Sequence, residues 1–518
     1  MRPGTLLRLA VTGTRADTTR IALTGFGSAL GALALLCAAT VLAIRSVPDP
    51  TEPGRMMDAP YTNGLLRESG LRPGLAFALI LLTVPVLLFV GQCARLGAPA
   101  RDRRLAAIRL AGATPGQGLA MASVESGAAT LLGAVAGLLC YLAGRHVFDE
   151  PNAHGLRPLP TDVLPAPGAI AAIVFGLPLI ATLVTALLLR RVAVTPFGVA
   201  RRTRTRPPRP LPGVLIVLGV VGYALIPAVQ RHDTALAGYA LPLVVFLGGL
   251  AAAVGVVSGA GWISYTVGRL LARYARRPAA LIAARRLQAD PWHGSRALAA
   301  LLGAVLIAGA AAWYASWSRT DQRVNAINDH LAAVAFGEPT VVDSPNNFYL
   351  RAAQLAGYGV LLAGLIAAAG LAVAVANSVV ERRRALASLT ASGVPRGVLG
   401  RAVLWQTVGV AVPALILAMA TGVALGRGVE GSTVGDESGT YSCTAPPDAP
   451  QACNLPLGQA RQLGAKVIEP PHITEQVPVP WGQLGVIGGW ALGATVLTAG
   501  LGMVFLRAST APEELRTS

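Results

Sequence analysis

The sequence contains a single lysine, Lys466, and this shortage limits what the chain can do. In a P-loop, the motif that binds nucleotide phosphates, a lysine after the second glycine reaches the β- and γ-phosphates. Lys466 stands in Leu-Gly-Ala-Lys-Val-Ile, which does not fit that motif. The sequence therefore predicts no P-loop in this chain, and any work driven by ATP requires another polypeptide.

Charged residues are also scarce. They make up 13% of the 518 residues, about half the share in a typical soluble protein, and 53% of the residues are hydrophobic. The apolar residues form runs of roughly 20, the length that crosses about 30 Å of hydrocarbon. The net charge of +18 comes from basic residues in short segments beside these runs, with no long polar domain to bind nucleic acid. These features predict a polytopic membrane protein that contacts lipids and does not bind nucleic acid.

Histidine and cysteine form no pattern typical of a catalytic or metal site. The six histidines are scattered, and no Ser/His/Asp or Cys/His set is recognisable, so we expect no metal, no cofactor and no enzymatic activity in this chain. Three of the five cysteines lie in apolar runs, where they are packing residues. Cys443 and Cys453 lie in a polar loop, where a disulfide forms only if the loop faces an oxidising compartment.

Ten apolar runs are candidate membrane spans, and the first is too long for the apolar part of a signal peptide. They cover residues 21–44, 73–94, 118–143, 168–189, 211–229, 239–263, 297–316, 353–377, 402–426 and 483–506. With the N-terminus inside and the spans alternating, inside segments hold 30 arginines, and outside segments hold the other 12 and Lys466. The positive-inside rule therefore predicts two cytoplasmic termini and places Cys443 and Cys453 outside. The 317–352 loop is expected to form a short helix at 321–334, and Trp313, Trp317, Trp481 and Trp490 to anchor the outer interface.

A short basic cassette occurs twice, at 101–115 and 381–395. With an offset of 281 residues, Leu105 aligns with Leu386, Ile108 with Leu389, and Gly112 with Gly393. Each cassette lies between two predicted spans, and each half begins with a basic amphipathic segment. We therefore expect an all-α protein with two parallel four-helix repeats and a two-helix insert. The predicted units are 1–191, a linker with spans five and six at 192–277, 278–507 with its outside loop at 427–482, and a cytoplasmic tail at 508–518.

The apolar residues of each cassette recur at steps of three and four residues, as on one face of a helix. One interpretation is a coupling helix that docks on an ATPase; the other is an interfacial helix whose arginines contact lipid headgroups. Gly112 with Pro115, and Gly393 with Pro395, are expected to end that helix and turn the chain into the next span. The candidate coupling residues are Arg103, Arg104, Leu105, Ile108, Gly112, Arg382, Arg383, Arg384, Leu386, Leu389 and Gly393.

Two aligned polar residues, Glu125 and Gln406, fall inside predicted spans. An acidic group within a membrane is costly and marks a functional position by default. Glu125 either pairs with an arginine such as Arg109 or is solvated at the interface. No other acid lies deep in a predicted span, which argues against an ion-coupled carrier.

The cassettes, with Glu125 and Gln406 in the following spans, resemble those of the FtsX-like permease family of ABC transporters. The resemblance covers both halves and is closer in the second. It implies a permease subunit in a bacterial plasma membrane, driven by a separate ATPase that binds ATP and magnesium, with two ATPase copies per chain. It also implies export or extraction of an amphipathic or hydrophobic substrate such as a lipid, lipopeptide or antibiotic. The alternative is a mechanotransmitter that moves no substrate and signals to an outside partner.

Overall fold

The fold is almost entirely helical. The computed structural model describes residues 15–47, 59–69, 71–93, 110, 112, 114–153, 155–193, 210–226, 235–336, 347–381, 392–435, 442–446, 451–454, 457–468 and 470–509. Its helices are α1 (Arg15–Ala43), α2 (Gly64–Arg67), α3 (Arg72–Cys93), α4 (Pro115–Val147), α5 (Pro167–Ala193), α6 (Leu211–Ala224), α7 (Ala235–Tyr274), α8 (Pro278–Ala289), α9 (Pro291–Phe336), α10 (Asn347–Glu381), α11 (Arg396–Glu430), α12 (Leu457–Gln462) and α13 (Trp481–Ser509). The strands are β1 (Thr433–Val434), β2 (Ser442–Thr444), β3 (Lys466–Ile468) and β4 (Glu475–Gln476).

Each predicted apolar run overlaps one helix of the described chain. Within the described residues, eight helices are long and apolar enough to cross a membrane: α1, α3, α4, α7, α9, α10, α11 and α13. The other two, α5 and α6, carry shorter apolar stretches, Pro167–Leu183 and Leu211–Ala224. The chain is therefore an all-α polytopic membrane protein.

The first half packs α1 against α3 and α4. Along α1 and α4, Gly25 faces Gly133 and Ala29 faces Gly137, so the two helices run parallel with their backbones in close contact. The hydroxyl of Ser28 donates to the Thr130 carbonyl at 2.7 Å. Small residues thus allow a close approach that a side chain at Gly133 or Gly137 would prevent.

The second half repeats this arrangement with α9 and α11. Gly422 of α11 lies against the Leu306 backbone, and Gly426 lies against Ala310 and Trp313, so these helices also run parallel. The first and third long helices of each half are therefore parallel neighbours joined through glycine. The halves meet where Phe89 of α3 packs against Gly370 of α10.

The pair α6–α7 packs on the second half. Tyr223 of α6 donates its hydroxyl to the Val245 carbonyl at 2.9 Å and lies against Gly428 of α11. Helix α8 follows α7 and buries one stripe, Ala279, Ala280, Ala283, Ala284 and Leu287. This is the amphipathic segment expected before the seventh span; its counterpart before the first span lies outside the described residues.

Helix α9 corrects one expectation. The separate short helix expected at 321–334 is part of α9, which continues without a break to Phe336. At 1.5 Å per residue, its 46 residues span roughly 69 Å, more than twice the hydrocarbon thickness. The chain keeps a helical path because residues 317–336 contain neither glycine nor proline.

We call the end of the bundle at which α4 and α11 begin the cassette end, and the opposite end the loop end. At the loop end of the second half, β1 pairs with β4 and β2 pairs with β3, both antiparallel. At the loop end of the first half, Tyr61 and Arg157 form an isolated bridge between the two connecting loops.

Candidate functional site

Two equivalent turns mark the cassette end. Gly112 has φ +93° and Gly393 has φ +90°, the left-handed conformation that costs other residues energy. Helix α4 begins three residues after Gly112, and α11 begins three residues after Gly393. Thr114 and Gln117 form a capping box at the start of α4, with Pro115 in the first turn. The predicted turns are present at both positions and have the same backbone conformation.

The basic and apolar parts of both cassettes lie outside the described residues. This applies to Arg103, Arg104, Leu105, Ile108, Arg382, Arg383, Arg384, Leu386 and Leu389. Helix α10 runs unbroken from Asn347 to Glu381, directly before the second cassette, and α11 starts directly after it. Each of these helices has 35 residues, so each extends roughly 52 Å from the cassette end towards the loop end.

Glu125 forms an ion pair with Arg20. The guanidinium of Arg20 donates to Oε1 of Glu125, and their side chains are 6% and 9% exposed. The parallel packing of α1 and α4 brings the two residues together, whereas Arg109 lies outside the described residues. A buried pair of opposite charges avoids the large cost of burying either charge alone. The pair therefore ties the start of α1 to α4, three turns after the Gly112 turn.

The second half lacks a matching pair among its described residues. Gln406 is partly buried in α11. A neutral amide carries a smaller desolvation cost than a carboxylate, so it needs no cationic partner. The two aligned positions therefore have different surroundings.

The loop end of the second half is a small disulfide-bonded unit attached to α9. Cys443 and Cys453 form a disulfide, and Cys443 pairs with Val467 across the β2–β3 ladder. Asn328 of α9 bonds both backbone groups of Ile473: its Oδ1 accepts from the amide nitrogen at 2.8 Å, and its Nδ2 donates to the carbonyl at 3.3 Å. This segment therefore binds α9 within residues 321–334, the range expected to form a separate helix.

Two of the predicted anchors on α9, Trp313 and Trp317, are less exposed than an interfacial anchor requires. Trp313 is buried against Val324, Val434 and Val477, and Trp317 packs at the edge of the same cluster. Trp490 lies against Gly364 of α10. Of the four predicted anchors, only Trp481, at the start of α13, is largely exposed, as the anchoring role predicts.

The loops of the first half are held together by polar contacts. The Tyr61 hydroxyl donates to Oδ1 of Asp162 at 2.9 Å, and burial together with this hydrogen bond raises the pKa of Tyr61. The Thr161 hydroxyl donates to Asp149 at 2.6 Å and is the main cause that lowers the pKa of that carboxyl. Arg72 is buried and donates to the carbonyls of Leu66 and Arg67. Polar contacts, and not a disulfide, thus hold the described loop residues of the first half together.

A cleft of about 710 Å³ opens near the loop end of the second half, between α9, α10 and α13. Its floor is a stripe of alanines on α9, and its apolar walls include Leu361 and Val486. Ser318, Arg319, Tyr358 and Gln483 supply its polar groups. Sequence reasoning missed this cleft; the only signal was the spacing of Ala308, Ala311, Ala312 and Ala315 on one helical face.

Metal-binding chemistry is not suggested by the described residues, since no three His, Cys, Asp or Glu side chains in that part of the chain are grouped to hold an ion.

Comparison with known proteins assigns no relative: no family model, no curated protein and no solved structure matches the chain.

Proposed function

We propose that this chain is the permease subunit of an ABC transporter of the FtsX-like type. A separate ATPase, bound in two copies at the cassette end, binds ATP and magnesium and drives export or extraction of an amphipathic or hydrophobic substrate. The observation that carries the proposal is the repeated left-handed turn at Gly112 and Gly393. Each turn lies between the second and third long helices of its half, where a coupling segment would pass force to the next helix.

Helix geometry supports two equivalent halves within a ten-span arrangement. In each half the first and third long helices are parallel neighbours, as the parallel-repeat interpretation requires. The insert α6–α7 lies between the halves in sequence and, with two crossings, returns the chain to its starting side. With the arginine distribution, this arrangement favours cytoplasmic termini and cassettes in a bacterial plasma membrane.

Long unbroken helices support transmission of force. Helix α10 joins the cleft at the loop end directly to the second cassette, so displacement at the cassette moves one wall of the cleft. In the first half, the buried pair of Arg20 and Glu125 keeps α1 and α4 together near the cassette end. A displacement of the cassette end of α4 would therefore also move α1.

The test uses the chain purified from its own host cells by an affinity tag. We expect magnesium-dependent ATP hydrolysis in the purified material, because this chain has no P-loop and the activity must belong to a bound ATPase. The double variant Leu105→Asp/Leu386→Asp places a charge on the apolar face of both cassettes and should abolish the co-purified activity. Leu110→Asp, on another face of the first cassette and largely exposed, is the matched control and should retain it.

Unchanged hydrolysis in the double variant would contradict the coupling role of the cassettes and leave them as interfacial helices. Absence of hydrolysis from the wild-type preparation would argue against an ATPase partner. Substrate export that persists in vesicles without any ATPase would instead favour an ion-coupled carrier.

The contact between α9 and the disulfide-bonded unit favours a second candidate, a mechanotransmitter. In addition to Asn328 and Ile473, the hydroxyl of Ser316 donates to the Pro478 carbonyl at 2.7 Å, so movement of α9 would move the unit. Reconstituted vesicles containing the chain and its ATPase separate the two functions. ATP-dependent loss of a labelled amphipath from the membrane supports transport, whereas hydrolysis without such movement supports transmission to an outside partner.

A further inference from the structure

The cleft between α9, α10 and α13 has apolar walls that are exposed at the surface of the helix bundle. Val486 and Leu361 in its walls are 73% and 54% exposed in the protein alone, so a hydrocarbon chain can enter from the side. Alanines floor it on the α9 side, where larger residues would fill the space. Its volume of about 710 Å³ lies within the range of pockets that bind small molecules, about 300–1,000 Å³.

A single arginine defines the polar end of the cleft. Arg319 is two residues after Trp317 on α9 and close to the start of α13, where α13 supplies Gln483. With the Gln483 amide assigned to satisfy its neighbours, its oxygen accepts from both terminal nitrogens of Arg319, at 2.5 and 3.0 Å. Its nitrogen donates to the Ala312 carbonyl at 3.3 Å. Gln483 thus connects the guanidinium to the alanine floor and orients it beside the cleft.

The charge of the cleft is of one sign. No aspartate or glutamate is among the residues that line it, and within the described part of the chain no carboxylate pairs with Arg319. A guanidinium binds phosphate through two parallel hydrogen bonds, and Ser318 and Tyr358 also line the cleft. The apolar volume matches an acyl chain, and the arginine matches an anionic headgroup.

We propose that this cleft binds an anionic phospholipid, with the phosphate on Arg319 and an acyl chain along the alanine floor. The inference rests on the proposed function and deepens it, since it names anionic phospholipids as the substrate class. Helix α10 lines the cleft and leads to the second cassette, so lipid binding and ATPase action would share one helix.

The test measures lipid binding to the purified chain without ATPase or nucleotide, by native mass spectrometry in detergent. Phosphatidylglycerol and phosphatidylcholine of identical acyl chains are the probes, because they share the phosphate and differ in net charge. We expect phosphatidylglycerol to bind with higher affinity and Arg319→Gln to weaken its binding roughly 10-fold or more, since loss of a charge-assisted hydrogen bond costs about 1.5–3 kcal/mol.

Three variants complete the design. Arg323→Gln removes an exposed arginine one turn further along α9 that does not line the cleft, and it should bind like the wild type. Ala311→Leu narrows the floor and should weaken both lipids. Arg319→Lys keeps the charge without the paired hydrogen bonds, so its affinity for phosphatidylglycerol should lie between those of the wild type and Arg319→Gln. This graded result would show that the loss in Arg319→Gln is not caused by misfolding.

Equal binding of both lipids, or wild-type binding by Arg319→Gln, would overturn the inference. So would displacement of phosphatidylglycerol by oleate at equal concentration, because the site would then prefer a carboxylate amphipath. The lipid test contains no ATPase, so its outcome is independent of the test on the cassettes. If the selective lipid binding is found but no ATPase activity co-purifies, the lipid site stands and the transporter proposal is refuted. If ATPase activity co-purifies but the lipid binding is not selective, the lipid site is refuted and the transporter proposal stands.

Discussion

The buried pair of Arg20 and Glu125 predicts a large stability loss when its carboxylate is removed. Both side chains are at least nine-tenths buried, so neither charge is well solvated. Breaking a buried ion pair by removing one partner costs about 3–5 kcal/mol, because the remaining charge stays in a poorly polarisable environment. We therefore expect Glu125→Leu to lower the free energy of unfolding by about 3 kcal/mol or more. This is over 100-fold in the folding equilibrium.

A double-mutant cycle isolates the pair. Wild type, Arg20→Leu, Glu125→Leu and the double variant are purified and unfolded by titrating SDS into a mild detergent, with tryptophan fluorescence as the signal. The double variant should be more stable than the sum of the single losses predicts, by about 1.5 kcal/mol or more, because it leaves no lone charge. Glu68→Leu, which removes an exposed carboxylate at the loop end, is the control and should change stability by less than about 0.5 kcal/mol.

The refuting result is specific. If Glu125→Leu costs less than about 1 kcal/mol and the two single losses add, Glu125 behaves as a solvated surface group and the pair does not brace α1 against α4. An additive cycle with large single losses would instead mean that each residue packs independently of the other.

Three further predictions concern single positions. Gly393→Ala should lower the free energy of unfolding by roughly 1–2 kcal/mol, because φ is positive at that residue. Gly397, a helical glycine with open surroundings, is the control, and Gly397→Ala should be neutral or stabilising. Equal effects of the two substitutions would contradict the left-handed turn. Cys443→Ser/Cys453→Ser should weaken the loop-end unit by about 2–4 kcal/mol and speed its proteolysis between α11 and α13, measured by mass spectrometry, while cleavage elsewhere stays unchanged. Asn328→Ala removes two hydrogen bonds and should accelerate amide exchange at Ile473 roughly 5-fold or more, whereas Asn325→Ala, on an exposed position of the same helix, should not; unaltered exchange at Ile473 would refute the attachment.

Local patterns were sufficient to predict several features of this protein. The apolar runs located the long helices, because the length of hydrocarbon to be crossed and the helical rise together set the number of apolar residues needed. The glycine and proline spacing in the two cassettes predicted the turns at Gly112 and Gly393, since few residues tolerate a positive φ. The separation of Cys443 and Cys453 in one polar loop identified them as a candidate disulfide pair.

Features that depend on distant segments required the tertiary structure. The partner of Glu125 is Arg20, over 100 residues away, and only the parallel packing of α1 and α4 brings them together. Helix α9 continues to Phe336, and a segment near Ile473 binds its extended part. The helix propensity of residues 317–352 carries no information about that contact. The cleft beside Arg319 is lined by residues of three helices that packing brings together. Runs and turns are properties of neighbouring residues and can be predicted from the sequence alone, whereas ion pairs and clefts are properties of packing, which places residues from separate parts of the chain side by side.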